Sequence, residues 1–187
     1  MKHWKMILFL IILSTACTIM LSGAQLAYVR AAAMFNVRLY GVILDMFEID
    51  VQEGMTEQVF MENFDITTVG NTIYYTSKAK EPGTVVFKSE GAGLWSRIEV
   101  LLAVTADREK LYGMRVLSQA ETPGLGGRIS EIQFQESFSG VEIRPQLEIV
   151  KFASQPNEVD AITGASRTAS SLEKIINKGV AGMDKAF

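Results

Sequence analysis

The sequence predicts an α+β domain carried behind an N-terminal membrane helix. Three observations lead there. An uncharged apolar run opens the chain, strand-like segments fill its middle, and a run with helical spacing closes it. The strands follow one another with short polar connections, so the sheet is expected to be largely antiparallel, with helices flanking it.

From Met6 to Val29 no residue is charged, and a helix of that length would reach about 36 Å, enough for a hydrocarbon core of roughly 30 Å. Lys2 and Lys5 precede the run and Arg30 and Arg38 follow it. A short positive N-terminus ahead of the first apolar run usually stays in the cytoplasm, which would put the rest of the chain outside. Ser14-Thr15-Ala16-Cys17 is a poor lipoprotein box, and Leu21-Ser22-Gly23-Ala24 offers a site for signal peptidase. The apolar run continues past both, so an uncleaved anchor is expected.

Ala31 to Ile49 still reads as helical, without a turn signal. Val51, Met55 and Val59 then suggest a short amphipathic helix ending near Asn63. Asn63-Phe64-Asp65 and Gly70-Asn71 read as turns. Strand composition follows at Ile73–Ser77, Thr84–Lys88, Arg97–Val104, Tyr112–Leu117, Glu142–Ile143 and Leu147–Phe152, with a helix expected over Ile129–Phe138. Leu172, Ile175, Ile176, Val180 and Met183 share one face of a final helix. The expected organisation is a tail and transmembrane anchor over 1–30, a connecting helix over 31–50 and one globular domain over 51–187.

Composition narrows the chemistry. A net charge of −3, with no dense Lys/Arg stripe, argues against nucleic acid. The single cysteine, Cys17, lies in the apolar run and the single histidine, His3, near the N-terminus, so neither a disulfide framework nor a Cys/His metal site is expected. No Ser–His pair is available for nucleophilic catalysis, and no catalytic residue is assigned. Redox work by this chain would need an organic cofactor.

Two loops exceed what turn chemistry requires. Asp160-Ala-Ile-Thr163-Gly164-Ala165-Ser166-Arg-Thr168 leads directly into the last helix. Its hydroxyls read either as simple helix caps or as the rim of an anion site, since a helix start offers unpaired N–H groups and a favourable dipole. Glu121-Thr122-Pro123-Gly124-Leu125-Gly126-Gly127 is either a tight connection or a place where backbone approaches a ligand. A third segment, Gly91-Ala-Gly93-Leu94-Trp95-Ser96, sets a large aromatic behind two glycines. Trp95 there either covers the edge of the core or walls a flat ligand.

Asp-x-x-Thr-Gly-Ala-Ser resembles the flavinylation motif of the extracytoplasmic FMN-binding subunits of Rnf and Na⁺-NQR respiratory complexes. Glu-Thr-Pro-Gly-Leu-Gly resembles the second hallmark of that family, with Gln119 where many members have His. The resemblance implies FMN joined by a phosphoester to Ser166, attached by a flavin transferase that uses FAD. It also implies contacts from Asp160, Thr163, Gly164, Ala165, Thr168, Glu121, Thr122, Gly124, Leu125 and Gly126, with Trp95 as a wall. The implied protein is an electron relay in the cell membrane with its domain on the extracytoplasmic side. Its partners would be other membrane subunits of an Rnf-type complex, bearing a second flavin and iron–sulfur centres, and the complex would couple ferredoxin:NAD electron transfer to ion movement. The chain's length favours the Rnf G subunit over the C subunit of the NADH:quinone reductase. A membrane-anchored binding or assembly domain without flavin, and a free-standing flavoprotein reductase, are the other readings.

Overall fold

In the computed structural model, which describes residues 2–187, the apolar N-terminal run forms one unbroken helix, α1 (Lys2–Met46). The expected 1–30 segment begins at Met1, which lies outside the described residues. The chain divides into two units, Met1–Gly41 and Val42–Phe187.

In the first unit the apolar side chains from Met6 to Leu13, and again Ile19, Met20, Leu21, Leu26 and Val29, are exposed around the helix. Among the described residues α1 is the one helix long and apolar enough to cross a membrane. Its hydroxyls turn inward to the helix backbone: Ser14 and Thr15 donate to the carbonyl of Ile11 and Thr18 to that of Ser14. That pattern lets polar side chains sit in an apolar environment without an unmet donor.

The second unit is built on a five-stranded antiparallel meander. β1 (Phe64–Val69), β2 (Thr72–Ser77), β3 (Val85–Ala92), β4 (Arg97–Val104) and β5 (Leu111–Ser118) pair in sequence order. A small parallel pair, β6 (Glu148–Val150) and β7 (Glu158–Asp160), lies apart from that sheet. The α+β class with largely antiparallel pairing is the one the sequence predicts.

Both faces of the meander are covered at β4, which is why that strand is buried almost throughout and reads as a continuous apolar run. On one face α4 (Ser166–Asp184) sets Leu172, Ile175, Ile176, Val180 and Met183 into a core with Phe87, Val100, Leu102 and Val104. On the other, Phe47, just past α1, joins Phe60 of α2 (Thr56–Asn63) in an aromatic cluster. Its ring centroid lies 5.0 Å from that of Phe64 and 4.7 Å from that of Tyr112. Ile43 and Leu44 at the end of α1 are also fully buried, so the compact unit takes in part of the segment expected to be only a connector.

α4 approaches β3 closely. A Cβ on Gly91 would lie 2.6 Å from Cγ1 of Ile175, and one on Gly179 would lie 2.7 Å from Cβ of Ser89. At this contact the Ser89 hydroxyl donates to the carbonyl of Ile175 at 2.7 Å.

Three local expectations change. Phe64 does not turn the chain; it takes extended backbone at the end of α2 and starts β1, because its ring is held between Phe47 and Phe60. The helix expected over Ile129–Phe138 is split into a 3₁₀ turn, Gly126–Ser130, and the short α3 (Ile132–Glu136). Gln135 accounts for the break: its side chain donates to the carbonyl of Ser130 and accepts from the N–H of Val116 in β5. Glu142 forms an isolated bridge to Lys110 in place of a strand, and Ile143 is buried without joining one.

Candidate functional site

The chain leaves β7 at Asp160 and turns into α4 through Gly164, whose φ of 81° is a left-handed conformation that favours glycine. A Cβ on Gly164 would also press to 3.1 Å from Cδ2 of Leu125, so the two loops singled out in the sequence touch here. Ala165 is the N-cap residue and Ser166 the first residue of α4, with no side-chain hydrogen bond capping the helix. The first-turn N–H groups therefore remain available to a ligand. Ser166 is exposed, whereas Thr168 is 2 % exposed and faces inward.

The second loop closes on its own backbone. The carbonyl of Thr122 accepts from the N–H groups of Leu125, at 3.2 Å, and Gly127, at 2.9 Å, while the Thr122 side chain remains exposed.

Glu121 sits where the segments meet. It is 5 % exposed, and both its oxygens are engaged. Oε1 accepts from the N–H of Trp95 at 3.0 Å and of Ser96 at 3.2 Å; Oε2 accepts from the Thr168 hydroxyl at 2.8 Å. Burial works to raise its pKa, but the donors from Trp95, Thr168, Ser96 and Leu94 outweigh it and hold the carboxyl below the usual carboxylate range. Gln119, where a histidine is common in the resembled family, accepts from the N–H of Glu121 and donates to Ser130.

The result is a cleft of about 240 Å³ lined by Leu94, Glu121, Thr122, Leu125, Gly126 and the run Gly164–Thr168. Leu94 also lines an adjoining open groove with Trp95, Arg97 and Lys178. Of the residues marked in the sequence, Ser166, Gly164, Ala165, Thr168, Glu121, Thr122, Leu125 and Gly126 come together on this cleft, and Trp95 stands on the neighbouring groove, 73 % exposed. Asp160, Thr163 and Gly124 do not line it. Asp160 instead accepts from the N–H of Ala153 at 2.6 Å.

Sequence reasoning passed over Leu94 and Arg167. Arg167 is the cationic residue lining the cleft, and its place beside Ser166 was the available signal. Among the described residues no group of three or more His, Cys, Asp or Glu side chains comes together to hold a metal.

Residues 93–181 match the FMN-binding domain family. That span takes in the loops around Glu121 and Ser166, the Gly91–Ser96 segment from Gly93 onward and most of α4, and FMN is the cofactor it supports. The C subunit of the Na⁺-translocating NADH-quinone reductase of Vibrio alginolyticus is 30% identical over 119 residues, covering 58% of this chain and 46% of that protein. Its counterpart in Neisseria meningitidis serogroup B is 33% identical over 98 residues, 49% of this chain and 38% of that one. The chain thus spans less than half the length of these curated relatives. Two crystal structures share the fold, each with a TM-score of 0.68 over 80% of this chain. One is Shewanella oneidensis NqrC at 16% identity, with 97% of it covered; the other is the same reductase component from Parabacteroides distasonis at 21% identity, with 90% covered.

Proposed function

We propose that this chain is a membrane-anchored electron-relay subunit of an ion-translocating oxidoreductase complex, carrying FMN through a phosphoester on Ser166, with the domain on the extracytoplasmic side. The observation that carries the reading is the position of Ser166, exposed on the first turn of α4 inside a cleft whose other wall is the Glu121–Gly126 loop.

The residues present fit the group. The uncapped first turn of α4 and the guanidinium of Arg167 suit a phosphate diester. The Thr122 hydroxyl supplies a polar contact, and Leu94, Leu125 and the exposed Trp95 supply apolar surface for a flat ring. When bound, FMN supplies one- and two-electron chemistry. The protein's part is to orient and tether it: an ester to Ser166 fixes one end, and a tether prevents loss outside the cytoplasm. Attachment by a flavin transferase would join the Ser166 oxygen to the FMN phosphorus of FAD, breaking the pyrophosphate bond and releasing AMP and the hydroxyl proton. Substrate turnover by this chain alone is not part of the reading.

Of the two complexes, we favour the Rnf type, in which the chain would be the G subunit beside membrane partners bearing a second flavin and iron–sulfur centres. The curated relatives favour the second reading, the C subunit of a Na⁺-translocating NADH:quinone reductase. Identification of the proteins that copurify from native membranes separates the two.

The direct test is the intact mass of the protein from its native membrane, with mapping of the peptide around Ser166. A mass increase equal to an FMN phosphoester, lost in Ser166→Ala, is the expected result. An unmodified peptide with the transferase present would overturn the proposal and leave a membrane-anchored binding domain without covalent flavin.

A further inference from the structure

The geometry points to Glu121 as a positioning residue: its buried carboxylate clasps the Gly93–Ser96 loop to the first turn of α4 and so sets the direction in which the Ser166 hydroxyl faces before any ligand arrives. The inference rests on the reading of Ser166 as the attachment site.

The resemblance implied that Glu121 holds the flavin, but both of its oxygens already accept hydrogen bonds from this chain. A carboxylate offers about four acceptor positions, and the N–H groups of Trp95 and Ser96 and the hydroxyl of Thr168 occupy three of them within 3.2 Å. The turn of backbone N–H groups after Gly93 has the form of an anion nest, and the anion it holds is this internal one. A phosphate is therefore left to the helix start.

Space for the clasp is made by two glycines. A Cβ on Gly93 would lie 2.5 Å from Oε1 of Glu121, and one on Gly126 would lie 2.4 Å from Oγ1 of Thr168 and 3.2 Å from Oε2 of Glu121. Two segments thus give way to one carboxylate. The link to Ser166 is rotational. Successive helical side chains are about 100° apart, so residues two positions apart point to nearly opposite sides. Holding Thr168 in the buried base of the cleft by its hydrogen bond to Glu121 fixes the rotation of the first turn and so leaves Ser166 on its exposed side, at the rim of the same cleft. Without that bond the first turn, which has no cap, is free to fray.

The test uses the full chain in detergent, with purified transferase and FAD. Thr168→Val removes the donor while keeping the shape, and Glu121→Gln removes the charge while keeping the size. Each is expected to slow flavin attachment at saturating FAD by about tenfold or more, the scale set by misorientation of a reacting group. Thr168→Ser, which retains the hydroxyl, is expected to restore the rate. Gly126→Ala leaves every polar partner in place but crowds them, and is expected to slow attachment in the same way; it keeps the test decisive if Glu121→Gln fails to fold.

A second readout needs no flavin. In a Trp4→Phe background the fluorescence of unmodified protein reports Trp95 alone, and loss of the clasp is expected to lower its anisotropy. If wild-type chain is modified on Ser166 while Thr168→Val is modified equally fast, the clasp is overturned and the attachment reading stands. If wild-type chain is never modified, the attachment reading fails. The Trp95 signal then judges the clasp: an anisotropy unchanged by Thr168→Val or Glu121→Gln overturns it.

Discussion

Two glycines on α4 provide a matched test of how closely that helix must sit on the sheet. Replacing a helical glycine by alanine stabilises the helix by up to about 1 kcal/mol through propensity alone. At Gly182 nothing lies within 4 Å of the added Cβ, so Gly182→Ala is expected to show most of that gain. At Gly179 the same atom would stand 2.7 Å from both Cβ and Oγ of Ser89 and 3.1 Å from Cδ1 of Leu102. Ser89 Cβ is fixed to strand β3, so relief requires moving the helix or breaking the bond from Ser89 to Ile175. Overpacking of this kind costs about 1–3 kcal/mol, which exceeds the propensity gain. The two variants should therefore differ by about 1–3 kcal/mol, with opposite signs relative to wild type. At about 2–4 °C per kcal/mol for a chain of this size, thermal unfolding followed by near-ultraviolet circular dichroism will resolve them. Equal midpoints for the two variants would refute the claim that Gly179 is selected by the approach of α4 to β3.

Other expectations follow from the same contacts. Leu102→Ala, at a fully buried position between α4 and the sheet, should lower stability by about 2–5 kcal/mol in denaturant unfolding. Ser166→Thr should still accept flavin, since it keeps the hydroxyl, and the mass of the Asp160–Lys174 peptide will show it. Arg167→Glu should slow attachment by placing a negative charge beside the phosphate; an unchanged rate would remove Arg167 from the anion site. Stability should also fall in acid. The carboxyls of Glu121 and, through its side-chain bonds from Arg144, Asp184 are held below their ordinary values in the folded state. Their contribution is complete above about pH 4.5, the unfolded carboxylate range, and is lost as the pH falls through the lower folded values. Asp184→Asn should make the acid end of the profile shallower; a profile like that of wild type would count against the Arg144 pair.

The sequence disclosed those elements whose burial has a period. Leu172, Ile175, Ile176, Val180 and Met183 repeat at helical spacing because one face of α4 alone meets the sheet, and β4 reads as an unbroken apolar run because both its faces are covered. β1 was hidden for the opposite reason. Apart from Phe64 its residues are exposed, so nothing alternates, and the aromatic packing that fixes Phe64 comes from residues outside the strand. The three residues of β7 are too few for any pattern. At the site, the two loops stand out by their glycines and hydroxyls, and in the structure they line one cleft. The partner of Glu121 was not legible, since Thr168 lies 47 positions away and no local period reports so distant a contact. Leu94 was missed because a leucine that walls a cleft has the same neighbours in sequence as one that covers a core.

The order of the strands bears on when the cleft exists at all during synthesis. Each strand of the meander pairs with its immediate predecessor, so β1 to β5 can zip together as the chain emerges, closing only short loops. α4 comes last and must dock back across β3, bringing the uncapped first turn and Ser166 against loops made long before. A chain in which α4 has not docked lacks the Thr168 bond to Glu121, the α4 side of the core over the sheet, and the Ser166 hydroxyl in place. On the proposed attachment at Ser166, a transferase that needs the assembled cleft would find its acceptor only on chains whose last helix has docked.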